Sequence, residues 1–412
     1  MTDTQLAPAP ARPIAREAAP ASAPRWWVWL AAWPVTAVFV LSNAATPLYV
    51  LWQRDIGFSR GTLTVVFACY IAGLIGSLLV SGVLSDRIGR RPVLVPAVAL
   101  GLVACGIFAT ASSVTALMAA RLLTGIAVGA VVSAGMAAVS DVAGPERKRL
   151  AALLASSAMV LGAGLGPLLA GVLSETLPAP TMTVFAVEAV LLLLALAVIL
   201  RMPLPRPAGS SGGSWIRFPG VPRGRGGDLA LGIAVFAPGI TATSFVLSLG
   251  PSLLSGLLGT TNRIVAGAMA FVMFLAATGV QFAVRRLRLG TVLLAGAVST
   301  ALAMTALVAA VNLSSVALLA TAAVLAGAGQ GMGQLGGLSL LNAGVPARRL
   351  AEANAAMNVG GYIPAGTLPV AAGFLSDAAG LPAGATVFGV VLMLVAVAGG
   401  LTVLARRKGI PG

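Results

Sequence analysis

Histidine is absent from the 412 residues, cysteine occurs only twice, and 9% of the side chains are charged. Each scarcity closes a class of function. Without histidine, and with Cys69 and Cys105 both inside long apolar runs, neither a zinc site nor a disulfide framework can be built. No metal and no cofactor are expected. Only one acid, Glu188, lies deep within an apolar run, so paired carboxylates or a base with its nucleophile are not available for intramembrane hydrolysis or group transfer. This argues against an enzyme. A Gly-x-x-x-x-Gly-Lys phosphate loop is also missing, so nucleotide hydrolysis is not expected to supply energy.

The shortage of charge excludes a soluble globular protein, whose surface needs roughly 25% charged residues. Here 58% of residues are hydrophobic and the mean hydropathy is +0.99, so apolar side chains must face lipid. Aromatics make up 5%; the apolar mass is Ala, Leu and Val, interrupted by 50 Gly and 25 Pro, as suits helices packed closely in a bilayer. The runs are long and continuous, not short and alternating, which selects helices over a barrel. A span takes about 20 residues. Twelve runs satisfy this: 26–51, 62–84, 93–111, 115–140, 150–173 and 183–200, then 229–254, 265–282, 291–311, 315–341, 353–374 and 385–405. The first is too long for a secretory signal core, and a Pro/Ala-rich stretch precedes it. Residues 1–25 read as a disordered cytoplasmic tail.

Basic residues orient the chain. With a cytoplasmic amino terminus, 22 of the 26 fall inside, Arg54, Arg60 and Arg263 fall outside, and Arg121 lies within span four. This is the positive-inside pattern, and one missed span would invert every later loop. Seven acids also fall inside, which leaves the net charge of +15 on the cytoplasmic face. The charges are spread over short loops without interleaved aromatics, so anionic lipid headgroups are the expected counter-charge and nucleic acid is not. Residues 202–228 carry Pro203, Pro205, Pro207 and a Gly/Ser run, and read as a flexible cytoplasmic linker. It divides a bundle over 26–201 from a second over 229–405, with 406–412 a cytoplasmic tail. Weak internal similarity supports two repeats: GVLSDRIGRR from Gly82 after span two, GVQFAVRRLR from Gly279 after span eight.

The loop from Gly82 through Ser85, Asp86, Arg87, Gly89, Arg90 and Arg91 to Leu94 carries the sharpest pattern. Here the chain resembles the major facilitator superfamily, whose motif between spans two and three has its glycines, aspartate and paired basic residues at these spacings. The resemblance covers nearly the whole chain and implies twelve helices in two six-helix pseudo-symmetric bundles that rock about a midplane site. It also implies a latch: Asp86 meets the start of span eleven near Ala353, and Arg90 pairs with Asp141 at the inner end of span four. Such a contact is made facing outward and released facing inward.

Span four contains Arg121, Thr124, Gly125 and Gly129, similar to the family pattern in which the arginine faces the cavity and supports proton coupling. An intramembrane arginine costs at least about 2.5 kcal/mol and marks a pathway, although backbone hydrogen bonding alone is the competing reading. Span five contains Gly162, Gly164, Gly166, Pro167 and Gly171, glycines that make a flat face and a proline that bends the helix. It resembles the motif of the drug/proton antiporter branch, with Ala170 standing where glycine is preferred; a generic packing face is the alternative. The resemblance places spans one, four, seven and ten around the pathway and two, five, eight and eleven beside them. Polar residues there are Asn43, Thr46 and Tyr49; Tyr70; Thr124; Thr241, Thr243 and Ser244; Gln281; Gln330 and Gln334; Asn354, Asn358 and Tyr362. For each, helix-to-helix hydrogen bonding competes with ligand contact. Glu188, at about the depth of Arg121, is the candidate proton carrier, with the two charges able to neutralise one another. Span one lacks the acid that many proton-coupled exporters carry there.

These readings converge on a monomeric secondary transporter in the inner (cytoplasmic) membrane, both termini cytoplasmic. It exports a small, fairly apolar drug-like compound or metabolite against protons. Import or facilitated uptake of a nutrient is the alternative, and a transport-dead sensor is disfavoured because neither tail is long enough for a signalling domain.

Overall fold

The computed structural model describes residues 24–204, 219–259, 262–346, 349–407 and 410. Most of the expected tail and the central part of the expected linker lie outside the described residues. Twelve long helices follow one another: α1 (Arg25–Ile56), α2 (Arg60–Ile88), α3 (Arg91–Ala109), α4 (Val114–Ala143), α5 (Lys148–Thr176), α6 (Pro180–Arg201), α7 (Gly226–Leu258), α8 (Arg263–Val284), α9 (Leu289–Asn312), α10 (Val316–Gly344), α11 (Leu350–Ala379) and α12 (Leu381–Arg406). No strand is present among the described residues. Each expected span falls on one helix, with the helix extending a few residues further at most ends.

Local chemistry sets those ends. Ser59, Ser113 and Ser315 cap α2, α4 and α10 by accepting from the amides of Thr62, Ala116 and Leu318, and Asn262 caps α8. Gly89, at φ +98°, takes a backbone that a side chain would strain and so turns α2 into α3. Two interruptions were not legible as sequence. α1 is broken by a 3-10 turn at Thr46–Leu48, where Pro47 cannot donate, and α4 carries a π-turn at Val131–Gly135.

Eleven of the described helices are long and apolar enough to cross a membrane. α11 has the length but is less apolar, because Asn354, Asn358, Tyr362 and several glycines and prolines replace aliphatic residues. It is nonetheless packed against α2, α7 and α12, which hide those groups from lipid. Within the first six helices α1 packs on α5, α2 on α4 and α3 on α6. The second six repeat the pattern as α7 on α11, α8 on α10 and α9 on α12. The halves meet through α2 with α11 and α5 with α8.

Glycine permits the closest of these crossings. A Cβ at Gly125 would strike the Tyr70 carbonyl and one at Gly73 the Leu122 carbonyl, so α2 and α4 touch backbone to backbone. In α5, Gly162 lies where a Cβ would come 2.5 Å from the Thr36 carbonyl oxygen, and Gly166 faces the carbonyl of Val40, both in α1. Gly171 faces the backbone of Arg263, and the carbonyl of Pro167 is met by Gly267 of α8. The span-five motif is therefore shared between two contacts: Gly162 and Gly166 pack on α1 of the same half, while Gly164, Pro167 and Gly171 touch α8 of the other half.

Candidate functional site

The start of α1, the end of α6, the start of α7 and the end of α12 lie at one end of the bundle, here the terminal face. Between the halves a cavity, with about 170 Å³ open to the centres of water molecules, is walled by α1, α2, α4, α5, α7, α8, α10 and α11. Its polar groups are those of Ser42, Asn43, Tyr70, Thr243, Ser244, Thr278, Gln281, Gln330, Gln334, Asn358 and Tyr362; the rest is apolar, including Phe39, Phe67 and Phe274. Gln281 donates to the Ala277 carbonyl at 3.2 Å, and Gln330 Oε1 is buried without a hydrogen-bond partner. Five expected cavity residues stand elsewhere: Thr46, Tyr49, Thr124 and Thr241 are buried outside the lining, and Asn354 lies nearer the terminal face. Thr124 is fully buried and donates to the Ala120 carbonyl at 2.8 Å, which spends its hydroxyl on its own helix. Tyr49 is fully buried behind the wall, beyond the 3-10 break in α1. Thr278 was missed, although it lies three residues from Gln281 and so on the same helix face. The aromatic wall left no signal, because apolar residues occupy every face of a span.

Arg121 is wholly buried one layer behind Ser42, Phe67 and Tyr70. The α2–α4 glycine contact puts it there. Its Nη1 donates to the Ser42 carbonyl at 2.7 Å, while Nε and Nη2 have no partner. The rings of Tyr49, Phe67, Tyr70 and Phe108 surround the guanidinium at 5.1 to 5.9 Å. The neutralisation expected from Glu188 does not occur through an ion pair. Toward α6 Arg121 meets Phe108, which stacks on Phe185 at 4.7 Å, and Glu188, one turn further along α6, leaves Oε2 unpartnered.

At the terminal face Arg90 bridges two carboxylates: Nε to Asp141 Oδ2 at 3.0 Å and Nη1 to Asp86 Oδ1 at 2.5 Å, with Ser85 Oγ at 2.8 Å. Burial disfavours the charge of Arg90, but its bonds to Asp86 and Asp141 and their charges outweigh that and raise its pKa. Arg91 donates to the carbonyls of Ile199 and Met202, fixing the loop to the end of α6. Asp86, Gly82 and Arg90 form one wall of a cleft of about 310 Å³ whose other wall is Asn354 and Ala355 of α11. Leu78, Val132 and Asn358 line both this cleft and the central cavity, so the cavity runs on toward the terminal face.

The opposite face is closed by two contacts related by the repeat, and neither was expected. At the end of α11, Asp377 accepts from the amides of Arg60 and Gly61 at the start of α2, at 3.0 and 2.8 Å. At the end of α5, Glu175 accepts from the amide of Arg263 at the start of α8 at 2.7 Å, and Arg263 Nη2 reaches the Ser174 carbonyl at 2.7 Å. In each, a carboxylate of one half caps a helix amino terminus of the other, where the dipole favours negative charge. Partial burial disfavours the charge on Asp377, but hydrogen bonds from Ser59, Gly61 and Arg60, with the charge of Arg60, prevail and hold its carboxyl below the ordinary 3.8. Because the pKa is depressed, this contact is fully present above the ordinary value and is lost as pH falls through the lower one. Spin labels at Thr62 and Ala378 are expected to stay close down to the ordinary 3.8 and to separate only as pH falls further. Asp377→Asn should abolish that pH response.

A family model of the Major Facilitator Superfamily matches residues 28–290, and the chain belongs to this superfamily of membrane transporters. It is 36% identical over 123 residues to the major facilitator-type transporter psiT2 of Psilocybe cubensis, across 30% of this chain and 23% of that one. It is 28% identical over 116 residues to the multidrug resistance protein MdtL of Escherichia coli, across 27% of this chain and 30% of that one. These matches span less than a third of either relative. A bacterial homologue of the human lysosomal transporter Spinster, solved inward-facing and unoccupied, superposes with a TM-score of 0.73 at 14% identity, covering 94% of this chain and 98% of that one. The fold is thus that of a multi-pass, all-α transporter.

Proposed function

We propose that the chain is a proton-coupled exporter of a small, fairly apolar compound, with the terminal face and both termini on the cytoplasmic side. The central observation is the cavity wall: aromatic and aliphatic side chains, five amides and six hydroxyls, and no ionised group among the lining residues. Such a wall suits an apolar body held by a few hydrogen bonds. The α5 glycines at the contact between halves, and the partial likeness to a multidrug resistance protein, support export. Positive charge gathered at the terminal face supports the orientation and a contact with anionic headgroups. Contacts that close the opposite face, with the cavity continuing to the terminal face, correspond to the inward-facing state in which an exporter loads.

Within this reading the latch residues Gly82, Asp86, Arg87, Gly89, Arg90, Arg91 and Asp141 govern the change of state, and Glu188 carries the proton beside the field of Arg121. The test is uptake into everted vesicles. A pH gradient, acid inside, should drive accumulation, and Glu188→Gln should remove the gradient dependence while counterflow at equal pH persists. Accumulation only under the reverse gradient would assign import instead. Expression of the wild type should also raise resistance to some of a broad drug panel, relative to Arg121→Ala.

A further inference from the structure

The cavity wall carries no charge of its own, yet one fixed charge stands directly behind it. Arg121 carries a guanidinium and is wholly buried. Among the described residues it forms no ion pair; the Ser42 carbonyl, the Tyr49 side chain and the faces of aromatic rings are its surroundings. Ser42, Phe67 and Tyr70 enclose it on one side and line the cavity on the other. Nothing in the wall opposes its field, because no lining residue is an acid, and Glu188 sits on α6 outside the lining. Across one layer of side chains, at an effective dielectric near 20, a unit positive charge favours a monoanion over a neutral molecule by roughly tenfold and disfavours a monocation as much.

The geometry points to a substrate with an apolar body and one anionic headgroup, such as a carboxylate, selected by Arg121. The headgroup lies against Asn43 and Tyr70, whose amide and hydroxyl can donate to it, and the body lies against Phe39, Phe67 and Phe274. Arg121 acts through this layer as the residue that sets charge preference. A single guanidinium matches a single negative charge, and the aromatic and aliphatic side chains of the wall take the remainder of the molecule by apolar contact. This names the substrate class of the cavity assigned above and rests on its being the transport site.

The test is calorimetric titration of the full chain in lipid nanodiscs, at equal pH and without a gradient. The probes are naphthyl, biphenyl and dodecyl compounds, each as carboxylate, alcohol and trimethylammonium. For at least one body the carboxylate is expected to bind about ten times more tightly than the alcohol, and the ammonium more weakly than either. R121Q should bring carboxylate and alcohol level; R121K should keep the order. Ammonium binding as tight as carboxylate, no binding by any probe, or an unchanged order in R121Q overturns the assignment. If R121Q does not fold, the wild-type order decides. Direction of transport does not enter this measurement, so vesicles that accumulate under the opposite gradient would end the export reading and leave the charge preference standing.

Discussion

Asp86→Asn is expected to reduce turnover by more than tenfold while the protein still inserts, purifies as a single species and binds substrate. The side chain is about half exposed, and an exposed ion pair contributes only about 0–1 kcal/mol to stability, so the fold does not depend on it. The state equilibrium does. In the structure Asp86 bonds Arg90 and lines the cleft opposite Asn354 and Ala355 at the start of α11. When that cleft shuts, the α11 amino terminus approaches Asp86, and the carboxylate becomes an anion at a helix dipole. Asparagine keeps the size and loses the charge, so the closed-cleft state is expected to lose its partner, while in the present state Asp141 still holds Arg90. A loss of about 1–2 kcal/mol from one state only shifts the populations some 5- to 30-fold. Spin labels at Ser140 and Ala355 should report the wide terminal cleft as nearly the sole population. Wild-type turnover in the variant would remove the latch from the mechanism.

How far such arguments could be made from sequence depends on whether the controlling pattern is local. The twelve helices were legible because a span of about 20 apolar residues bounded by charge leaves little choice in lipid. Even α11, the least apolar, kept its length between Arg349 and Gly380. The Arg90–Asp141 pair was legible through the family motif. Gln330 and Gln334 were legible through helical spacing, and both face the cavity. Tyr49 and Thr124 were misplaced because their faces depend on where α1 breaks and how closely α2 approaches α4, and both depend on tertiary contacts. The caps by Glu175 and Asp377 left no local trace at all. Asp377 bonds amides 316 and 317 residues away, and a lone acid at a helix end looks like any other solvated residue until its partner is known.

Those caps and the glycines beneath them carry the second large prediction, opposite in sense to the first. Gly171→Leu together with Gly267→Leu is expected to stop turnover by holding the opposite face open. At Gly171 a Cβ would meet the Arg263 carbonyl, with its carbon at 3.0 Å; at Gly267 it would meet the Pro167 carbonyl, with its carbon at 2.9 Å. Both obstacles are backbone, which cannot rotate aside as a side chain can. Overpacking of this kind costs about 1–3 kcal/mol per site, and here the cost falls on the one state in which α5 and α8 touch. Separation of the helices relieves it, so the penalty becomes a population shift instead of unfolding. The Glu175–Arg263 contact should break with it, since the same two helix ends carry it. Labels at Thr62 and Ala378 should then move apart at neutral pH, where Asp377 alone would have kept them together. In Asp86→Asn they should stay close. Two variants, one at each face, are thus expected to be equally inactive and structurally opposed. If both give the same pair of distances, the halves do not rock about the central cavity.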